Sequence, residues 1–352
     1  MAQKKIVLTG GGTAGHVTPN IALLPYLKEA GYDIYYIGSK NGIEKQLIAD
    51  YKIPYTGIST GKLRRYFDLK NFTDPFRVVN GFFEARRALK KIRPDVVFSK
   101  GGFVSVPVVR AAHSLKIPCI IHESDMTPGL ANKLCFGAAA KVCCNFPETV
   151  KTLPEGKAVL TGTPIRDELF TGDKEKGLSL CGFTADKPVI MIMGGSQGAV
   201  AVNKAVRNHL DELLEDFQVV HLCGRGHLDP ALEGKEGYKQ FEYVKEDLKH
   251  LFAAADLMIS RSGANAICEI LALQIPNILV PLAAGSRGDQ VLNANSFAAQ
   301  GYSEVVATDD LDSKITETVK KVCENRQAYK EAMAGSSQKN ASSVILDLIR
   351  KV

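Results

Sequence analysis

Glycine-rich turns that directly follow short apolar segments are the feature of this sequence that could do chemistry. Residues 10–15 (GGGTAG) match the pattern G-x-G-x-x-G and are followed by His16, and residues 99–107 (SKGGFVSVP) form a second turn that contains Lys100. The backbone N–H groups of such turns can bind an anion, and an imidazole or ammonium beside them adds a proton acceptor or a charge. The pair predicts a diphosphate site at one domain edge, although His16 could instead cap a helix and both turns could be ordinary connections.

The second half of the chain repeats the pattern. Residues 194–199 (GGSQGA) and residues 260–269 (SRSGANAICE) each follow an apolar segment and lead into a predicted helix. The unpaired N–H groups of a helix start, its dipole and the hydroxyl of Ser196 predict a diphosphate site that needs no metal. Glu269 could accept both hydroxyls of a ribose or simply be solvated, and Arg166 could reach such a site or be a surface charge.

Several nucleotide-binding motifs are missing or incomplete. A dinucleotide site needs an acidic residue near the end of the second strand, and residues 36–40 (YIGSK) contain none. This disfavours NAD and leaves NADP, with Ser39 and Lys40 near a 2′-phosphate, as an alternative. The sequence also lacks G-x-x-x-x-G-K-[ST] and H-E-x-x-H, the patterns of P-loop kinases and zinc peptidases. We therefore expect no catalytic metal and, outside the NADP alternative, no cofactor.

Short apolar segments alternate with helical patterns along the whole chain, which predicts βαβ units and parallel sheets. The two halves begin alike, so we expect an α/β protein of two tandem Rossmann-like domains that face each other across a cleft. The predicted domains are residues 1–162 and 163–339, with a last helix in residues 340–352 that could pack on either domain. The predicted strands are residues 5–9, 33–37, 96–99, 119–122, 142–145 and 159–161, then 189–193, 218–222, 240–243, 257–260, 278–281 and 304–307.

The charge of the chain is divided unevenly between these halves. The 44 Lys and Arg and 38 Asp and Glu give a net charge of +6, but residues 1–163 hold 23 basic and 12 acidic side chains (+11) and residues 164–352 hold 21 and 26 (−5). Such asymmetry suggests an acidic partner for the first half. The start of the chain lacks the apolar stretch of a signal peptide, no run reaches the ~20 apolar residues of a membrane span, and the eight cysteines form no C-x-x-C pair. We therefore expect a reducing, cytoplasmic compartment.

Residues 62–93 carry most of the excess positive charge. They hold ten Lys and Arg against three acidic residues, together with six Tyr and Phe. The Asp-Pro pair at 74–75 predicts a helix start, after which Phe76, Val79 and Phe83 share one face. This face could be core, but mixed aromatic and basic residues favour a surface that binds anionic lipid; nucleic acid is the rival partner, and no nucleic-acid motif accompanies the segment. The residues expected on the membrane surface are Arg64, Arg65, Phe72, Phe76, Phe82, Phe83, Arg86 and Arg87.

Five segments in this order resemble the MurG family of peptidoglycan synthesis, and the resemblance extends over nearly the whole chain. They are residues 11–19 (GGTAGHVTP), 100–107 (KGGFVSVP), 122–125 (HESD), 194–199 (GGSQGA) and 261–264 (RSGA). The resemblance implies a GT-B fold whose N-terminal domain binds undecaprenyl-pyrophosphoryl-MurNAc-pentapeptide (lipid I) and whose C-terminal domain binds UDP-GlcNAc. It implies an inverting transfer of GlcNAc to the C4 hydroxyl of MurNAc, which forms lipid II, by a peripheral enzyme at the cytoplasmic face of the cell membrane. The implied partners are these substrates, the anionic membrane surface and proteins of cell-wall synthesis, and no nucleic acid.

The resemblance also assigns roles to individual residues. The candidates for the general base are His16 and Glu123, with His16 ahead because the glycine turn holds it. The family's motif usually reads His-Glu-Gln-Asn, and here Ser124 and Asp125 occupy its last two positions, so their roles stay open. The residues implied for the donor are Arg166, Ser196, Gln197, Gly198, Ser262, Gly263, Glu269, Asp289 and Gln290. Those implied for the acceptor pyrophosphate are Thr13, Ala14, Gly15, Lys100, Gly101 and Gly102.

Three other functions fit the same sequence features. A related GT-B enzyme would glycosylate diacylglycerol or another lipid with the same class of donor. A UDP-GlcNAc 2-epimerase would use the same nucleotide sugar but would not need the basic aromatic segment. An oxidoreductase would need the nicotinamide of NADP.

Overall fold

The computed structural model describes residues 3–61, 70–195, 198–282, 288–338 and 341–352, and only the backbone of residues 70–75. The chain forms two compact units, Met1–Arg166 with Asn340–Val352, and Asp167–Lys339. We call them unit 1 and unit 2. The division falls after Arg166, whereas the sequence suggested residue 162.

Unit 1 alternates strands and helices from its start. Its strands are β1 (Lys5–Thr9), β2 (Asp33–Ser39), β3 (Tyr55–Ile58), β4 (Val96–Ser99), β5 (Cys119–Glu123), β6 (Lys141–Cys144) and β7 (Ala158–Leu160). The helices between them are α1 (Thr18–Glu29), α2 (Ile43–Ala49), α3 (Lys70–Ile92), α4 (Ser105–Ser114), α5 (Leu130–Cys135) and α6 (Pro147–Lys151). All four residues of β4 and all five of β5 are buried, as expected for central strands that are covered on both faces.

The strands of unit 1 form one parallel sheet in the order β3-β2-β1-β4-β5-β6-β7. Although β1 and β4 are neighbours, the chain leaves β1 towards β2 and leaves β4 towards β5. The loops that follow β1 and β4 therefore diverge at the carboxyl edge of the sheet. Open α/β sheets bind ligands at such switch points, and here the switch point carries both glycine turns.

Unit 2 has the same organisation. Its strands are β8 (Val189–Met193), β9 (Gln218–Leu222), β10 (Tyr238–Phe241), β11 (Leu257–Ser260), β12 (Asn277–Leu279) and β13 (Glu304–Val305). Its helices are α7 (Lys174–Cys181), α8 (Val200–Asn208), α9 (Leu210–Asp216), α10 (Leu248–Ala254), α11 (Ala264–Leu273), α12 (Asp289–Ala299), α13 (Leu311–Glu324) and α14 (Arg326–Ala334). The parallel order β10-β9-β8-β11-β12-β13 places the switch point between β8 and β11.

The prediction of two parallel-sheet α/β domains is confirmed, and β1, β4, β8, β9 and β11 have the predicted bounds. The sequence did not predict β3, because this edge strand is only partly buried and contains Gly57. The predicted helix start at 74–75 is wrong: α3 begins at Lys70. The proline then lies in the second turn, where its missing N–H removes a single helical hydrogen bond.

A last helix, α15 (Ala341–Lys351), returns to unit 1 and packs against α1. Its residues Ile345, Leu346 and Ile349 are buried in the same cluster as Ile6 and Leu8 of β1. The C-terminal segment therefore completes the core behind the first glycine turn.

We expect Ile345→Ala to lower the free energy of unfolding of unit 1 by about 2–5 kcal/mol, because it leaves a cavity at a position with 0% exposure. Urea unfolding followed by circular dichroism measures this loss. The matched control is Val344→Ala on the same helix, where the side chain is 37% exposed. Equal effects of the two substitutions would contradict the packing of α15 against the core of unit 1.

Candidate active site

The two glycine turns of unit 1 are in contact with each other. Gly102 has φ +82°, and a Cβ on it would overlap the carbonyl oxygen of Gly11 and lie 3.3 Å from Nδ1 of His16. Gly12 has φ +87°, and a Cβ on it would overlap the ring of Phe103. Both positions favour glycine because of their positive φ, and at Gly102 the loop after β4 also approaches the backbone of the loop after β1.

His16 ends a short 3-10 turn, Ala14–His16, at this junction and is half-buried. Its Nδ1 lies 3.0 Å from the hydroxyl oxygen of Thr13. In the tautomer that carries its proton on Nδ1, the ring donates to Thr13 and keeps a lone pair on Nε2. The arrangement can therefore orient an imidazole that accepts a proton. Thr13 and Ala14 are exposed and Gly15 is half-buried beside it.

Glu44 of α2 holds the first turn from behind. Its carboxylate is fully buried and accepts hydrogen bonds from the backbone N–H of Gly12 at 3.2 Å and of Ser39 at 2.9 Å. The hydroxyl of Ser39 donates to it as well. Lys40 pairs with Glu84 at 2.7 Å. The two residues that a 2′-phosphate of NADP would need are thus bonded within the chain, which argues against the NADP alternative.

The sequence suggested that the side chain of Lys100 faces an acceptor pyrophosphate, and the structure places this side chain elsewhere. Its ammonium is 1% exposed and points into the protein, 3.0 Å from Nδ1 of His122 and 3.4 Å from the hydroxyl of Thr163, and it also contacts the hydroxyl of Ser124. Gly101, with φ +93°, faces Asn132 instead of a basic side chain. An acceptor pyrophosphate at this turn would therefore meet backbone groups rather than the lysine.

Glu123 is also enclosed. Its side chain is 4% exposed and accepts hydrogen bonds from the N–H groups of Asp125 and Gly129, each at 3.0 Å, and from the amide of Asn132 at 2.9 Å. Burial raises the pKa of this carboxyl. These contacts fix the loop between β5 and α5, which favours a positioning role for Glu123 over proton transfer from a substrate.

In unit 2, the glycines of the turn after β8 differ in what they face. A Cβ on Gly194 would lie 2.6 Å from the backbone nitrogen of Ala199, and a Cβ on Gly198 would overlap the carbonyl oxygen of Cys223. Among the described residues, no atom lies within 4 Å of that position at Gly195, which has φ +91°, or at Gly263 before α11. Two backbone segments at the β8/β11 switch point are therefore open to a ligand. Ser196 and Gln197 lie outside the described residues.

Arg261 follows β11 at this switch point and is a candidate site residue that the sequence motif contained but did not single out. Its Nε and one terminal nitrogen are buried and have no hydrogen-bond partner among the residues that the structure describes, and burial lowers the pKa of its guanidinium. Buried donors of a cation without an acceptor are costly unless a ligand supplies one. Together with the start of α11, they provide positive charge and N–H groups for an anion.

The remaining donor candidates lie on the same edge of unit 2 or at the end of unit 1. The buried hydroxyl of Ser262 donates to the backbone oxygen of Gln290 at 2.7 Å, and the side chain of Gln290 accepts from the N–H of Leu282 at 3.0 Å. The first bond joins the loop after β11 to α12, and the second joins the segment after β12 to the same helix. Asp289 is buried, Glu269 is half-buried on α11, and Arg166 is the half-buried last residue of the first segment of unit 1.

A buried polar network that the sequence gave no signal for supports the turn after β8. His221 of β9 lies between the amide of Asn203 and the hydroxyl of Tyr238, each 3.0 Å from a ring nitrogen. Asn203 donates to the carbonyl oxygen of Cys223, the atom against which Gly198 packs. Burial, with the nearby Arg207, lowers the pKa of His221 to about 3, so this ring is a neutral brace.

One face of α3 is apolar and exposed. Phe76 is 78% and Phe83 61% exposed, while Phe82 is half-buried and packs against the core of unit 1. A groove of about 600 Å³ lies beside this face, lined mainly by apolar side chains, with Arg110 and Lys133 at it. Arg86 is half-buried and Arg87 exposed. Arg64 and Arg65, and the side chain of Phe72, lie outside the described residues.

Within the described residues, no group of three or more His, Cys, Asp and Glu side chains is arranged to hold a metal ion. In the same part of the chain, no helix combines the length and the apolar composition needed to cross a membrane.

Two family models match the chain. The glycosyltransferase family 28 N-terminal domain matches residues 6–144, and the glycosyltransferase family 28 C-terminal domain matches residues 189–348. A protein of Lachnospira eligens named UDP-N-acetylglucosamine--N-acetylmuramyl-(pentapeptide) pyrophosphoryl-undecaprenol N-acetylglucosamine transferase is 63% identical over 349 residues, 99% of each chain. A protein of the same name from Clostridium tetani is 56% identical and covers 99% of this chain and 98% of its own.

Solved structures agree with these matches. Acinetobacter baumannii MurG has a TM-score of 0.79 and 27% sequence identity, covering 99% of this chain and 100% of its own. The UDP-GlcNAc 2-epimerase of Neisseria meningitidis, bound to UDP-GlcNAc, has a TM-score of 0.67 and 14% identity, covering 99% of this chain and 100% of its own. The second likeness is one of fold alone.

Proposed function

This chain belongs to glycosyltransferase family 28, and on that premise we propose that it transfers GlcNAc from UDP-GlcNAc to the C4 hydroxyl of MurNAc in lipid I, which forms lipid II. The observation that carries the proposal is the 63% identity, over 99% of both chains, to a transferase whose name states this donor and this acceptor. The two switch points support it, because each offers a backbone site for the diphosphate of one substrate.

We assign proton abstraction to His16. An α-linked donor and a β-linked product require a single displacement, in which the acceptor hydroxyl loses its proton to one general base. His16 is half-buried and is oriented by Thr13, whereas the oxygens of Glu123 already accept three hydrogen bonds inside the protein. The exposed Thr13 and Ala14, with Gly15, Gly101 and Gly102, would bind the acceptor pyrophosphate through backbone groups.

Unit 2 would stabilise the departing UDP. Negative charge grows on the β-phosphate as the sugar leaves, and positioned donors stabilise it most in a site that excludes water. In the described part of the chain no atom crowds Gly195 or Gly263, which leaves space for the diphosphate, and two buried nitrogens of Arg261 have no acceptor there. Other residues would complete the donor site: Ser196, Gln197 and Gly198 at the diphosphate, Glu269 at the ribose, Arg166 at the diphosphate or uridine, and Ser262, Asp289 and Gln290 towards the sugar.

The transfer itself is the first test. We expect the purified protein to move radiolabelled GlcNAc from UDP-GlcNAc to a lipid I analogue, and not to diacylglycerol presented in the same detergent. Formation of UDP-N-acetylmannosamine in the absence of an acceptor would instead indicate a UDP-GlcNAc 2-epimerase. Transfer of the label to diacylglycerol would indicate a related lipid glycosyltransferase.

In that assay His16→Ala should lower kcat by roughly 10²–10⁴-fold, the usual contribution of a general base, while leaving the affinity for UDP nearly unchanged. Turnover gives the first value and isothermal titration with UDP the second. Arg261→Met is the matched contrast: it should weaken UDP binding, because it removes a charge-assisted donor to the diphosphate. A loss of UDP binding in His16→Ala equal to its loss of turnover would refute the assignment.

We also propose that the apolar face of α3 and the groove beside it dock on the anionic membrane surface. Phe76 and Phe83 are exposed, and Leu134 of α5, which lines the groove together with Phe83, is 45% exposed, so the apolar surface extends over two helices. Residues 1–163 carry a net charge of +11, which attracts anionic lipid. The enzyme would then act at the cytoplasmic leaflet, and this surface or its surroundings would meet proteins of cell-wall synthesis.

Replacing both Phe76 and Phe83 by Glu should reduce binding to phosphatidylglycerol vesicles by at least about tenfold, because each buried Phe contributes roughly 1.5–3 kcal/mol. Vesicle co-sedimentation measures the change. Leu180→Glu, on the surface of unit 2 where the side chain is 39% exposed, is the control and should bind as before. Unchanged binding by the double variant would contradict the docking surface.

A further inference from the structure

Lys100 is a buried cation that no step of the proposed transfer uses directly. Its ammonium carries three N–H groups that can only donate, and the neutral acceptors around it include Nδ1 of His122 at 3.0 Å, the hydroxyl of Thr163 at 3.4 Å and the hydroxyl of Ser124. Asn145 closes the group, because its amide oxygen accepts from Thr163 at 3.2 Å and its amide nitrogen donates to the backbone oxygen of Ser124 at 3.0 Å.

These contacts determine the state of His122. Since an ammonium can only donate, Nδ1 of this ring must be the acceptor. Nε2 lies 2.8 Å from the carbonyl oxygen of Gly162 and therefore carries the proton. Burial, together with the charge of Lys100, holds the pKa of His122 well below its usual range. The ring is neutral and joins the end of β5 to the segment that follows β7.

The backbone of Lys100 belongs to the glycine turns. The N–H of Lys100 donates to the carbonyl oxygen of Thr9 at 2.9 Å, and a Cβ on Gly10 would lie 3.2 Å from the Cβ of Lys100. The next residues are Gly101 and Gly102, and the latter packs against His16. A shift of the Lys100 side chain would therefore move the turn on which the candidate base rests.

Ser124 stands where the motif that this chain resembles has a glutamine. A glutamine side chain is longer by one carbon and an amide group, and here the ammonium of Lys100 already occupies the space beside the serine hydroxyl. We propose that Lys100 is a positioning residue for the transfer reaction, which anchors the second glycine turn under His16 through His122, and that Ser124 is small because it shares this pocket with Lys100. The inference rests on the proposed function for its kinetic part only.

The test is a double-substitution cycle with Lys100→Met, Ser124→Gln and both together. We expect each single variant to lower kcat about tenfold, because Lys100→Met removes the anchor of the turn and Ser124→Gln crowds the ammonium. The KM for UDP-GlcNAc should stay unchanged. Since the two residues are in contact, their effects should not be additive. The double variant should recover to within about threefold of the unsubstituted enzyme, since the glutamine then fills the space that the lysine leaves. Lys45→Met and Ser114→Gln, at exposed positions of unit 1, are the controls.

Two further measurements keep the test independent of folding and of the assigned activity. Ser124→Ala removes only the hydroxyl, and its effect on kcat should disappear in the Lys100→Met background. Nitrogen-15 spectra of the imidazoles should report a neutral His122 protonated on Nε2, with the Nδ1 signal shifted in Lys100→Met. Losses that simply multiply in the double variant, a raised KM for UDP-GlcNAc, or a His122 protonated on Nδ1 would each overturn the proposal. Absence of transfer by the unsubstituted protein would refute the proposed function. The spectra would then decide by themselves whether Lys100 holds His122 in the neutral form protonated on Nε2.

Discussion

Both candidate substrate sites depend on one constraint of parallel sheets. Where the strand order reverses, two neighbouring loops must diverge, and their backbone N–H groups are left uncovered at the carboxyl edge. This happens between β1 and β4 in unit 1 and between β8 and β11 in unit 2. Anion binding then comes from the backbone and from helix starts more than from basic side chains. On the proposed function, this is how residues 164–352 would bind a nucleotide diphosphate despite a net charge of −5.

Loops that expose N–H groups need support from elsewhere, and in this protein buried polar side chains provide it. Glu44 accepts a hydrogen bond from the N–H of Gly12 in the first glycine turn. The side chains of Lys100 and His122 are bonded to each other beneath the second turn. Asn203 and His221 are bonded to each other and support the turn after β8. Each of these groups is bonded to a partner inside its own unit, as the cost of burying polar atoms requires. The polar residues that point inward therefore shape the sites, and those left to face a substrate are few.

The sequence predicts the strands and turns of this structure better than the directions in which individual side chains point. Apolar runs identify strands that are covered on both faces, and glycine after such a run identifies the turns, whereas the half-buried β3 carries neither signal. Lys100 and Glu123 lie in recognisable motifs, but residues 122, 123 and 124 alternate between the two faces of β5 and its extension, and only the fold determines which partner each one meets. Glu44 and Arg261 gave no signal of their own, because their importance comes from contacts, or from open donors, that form only when distant loops meet.

The position of the groove beside α3 follows from the same second glycine turn. Val106 and Pro107 line that groove together with Phe82 and Phe83, and they follow Gly102 by only four or five residues. Four or five residues span at most about 13–18 Å even when extended, so a pyrophosphate held at the turn and a lipid chain that enters the groove would be joined over a short distance within unit 1. A lipid-linked acceptor could then present its sugar to His16 while its chain stays in the membrane. The exposed apolar face would be needed for this geometry as much as for affinity to the bilayer.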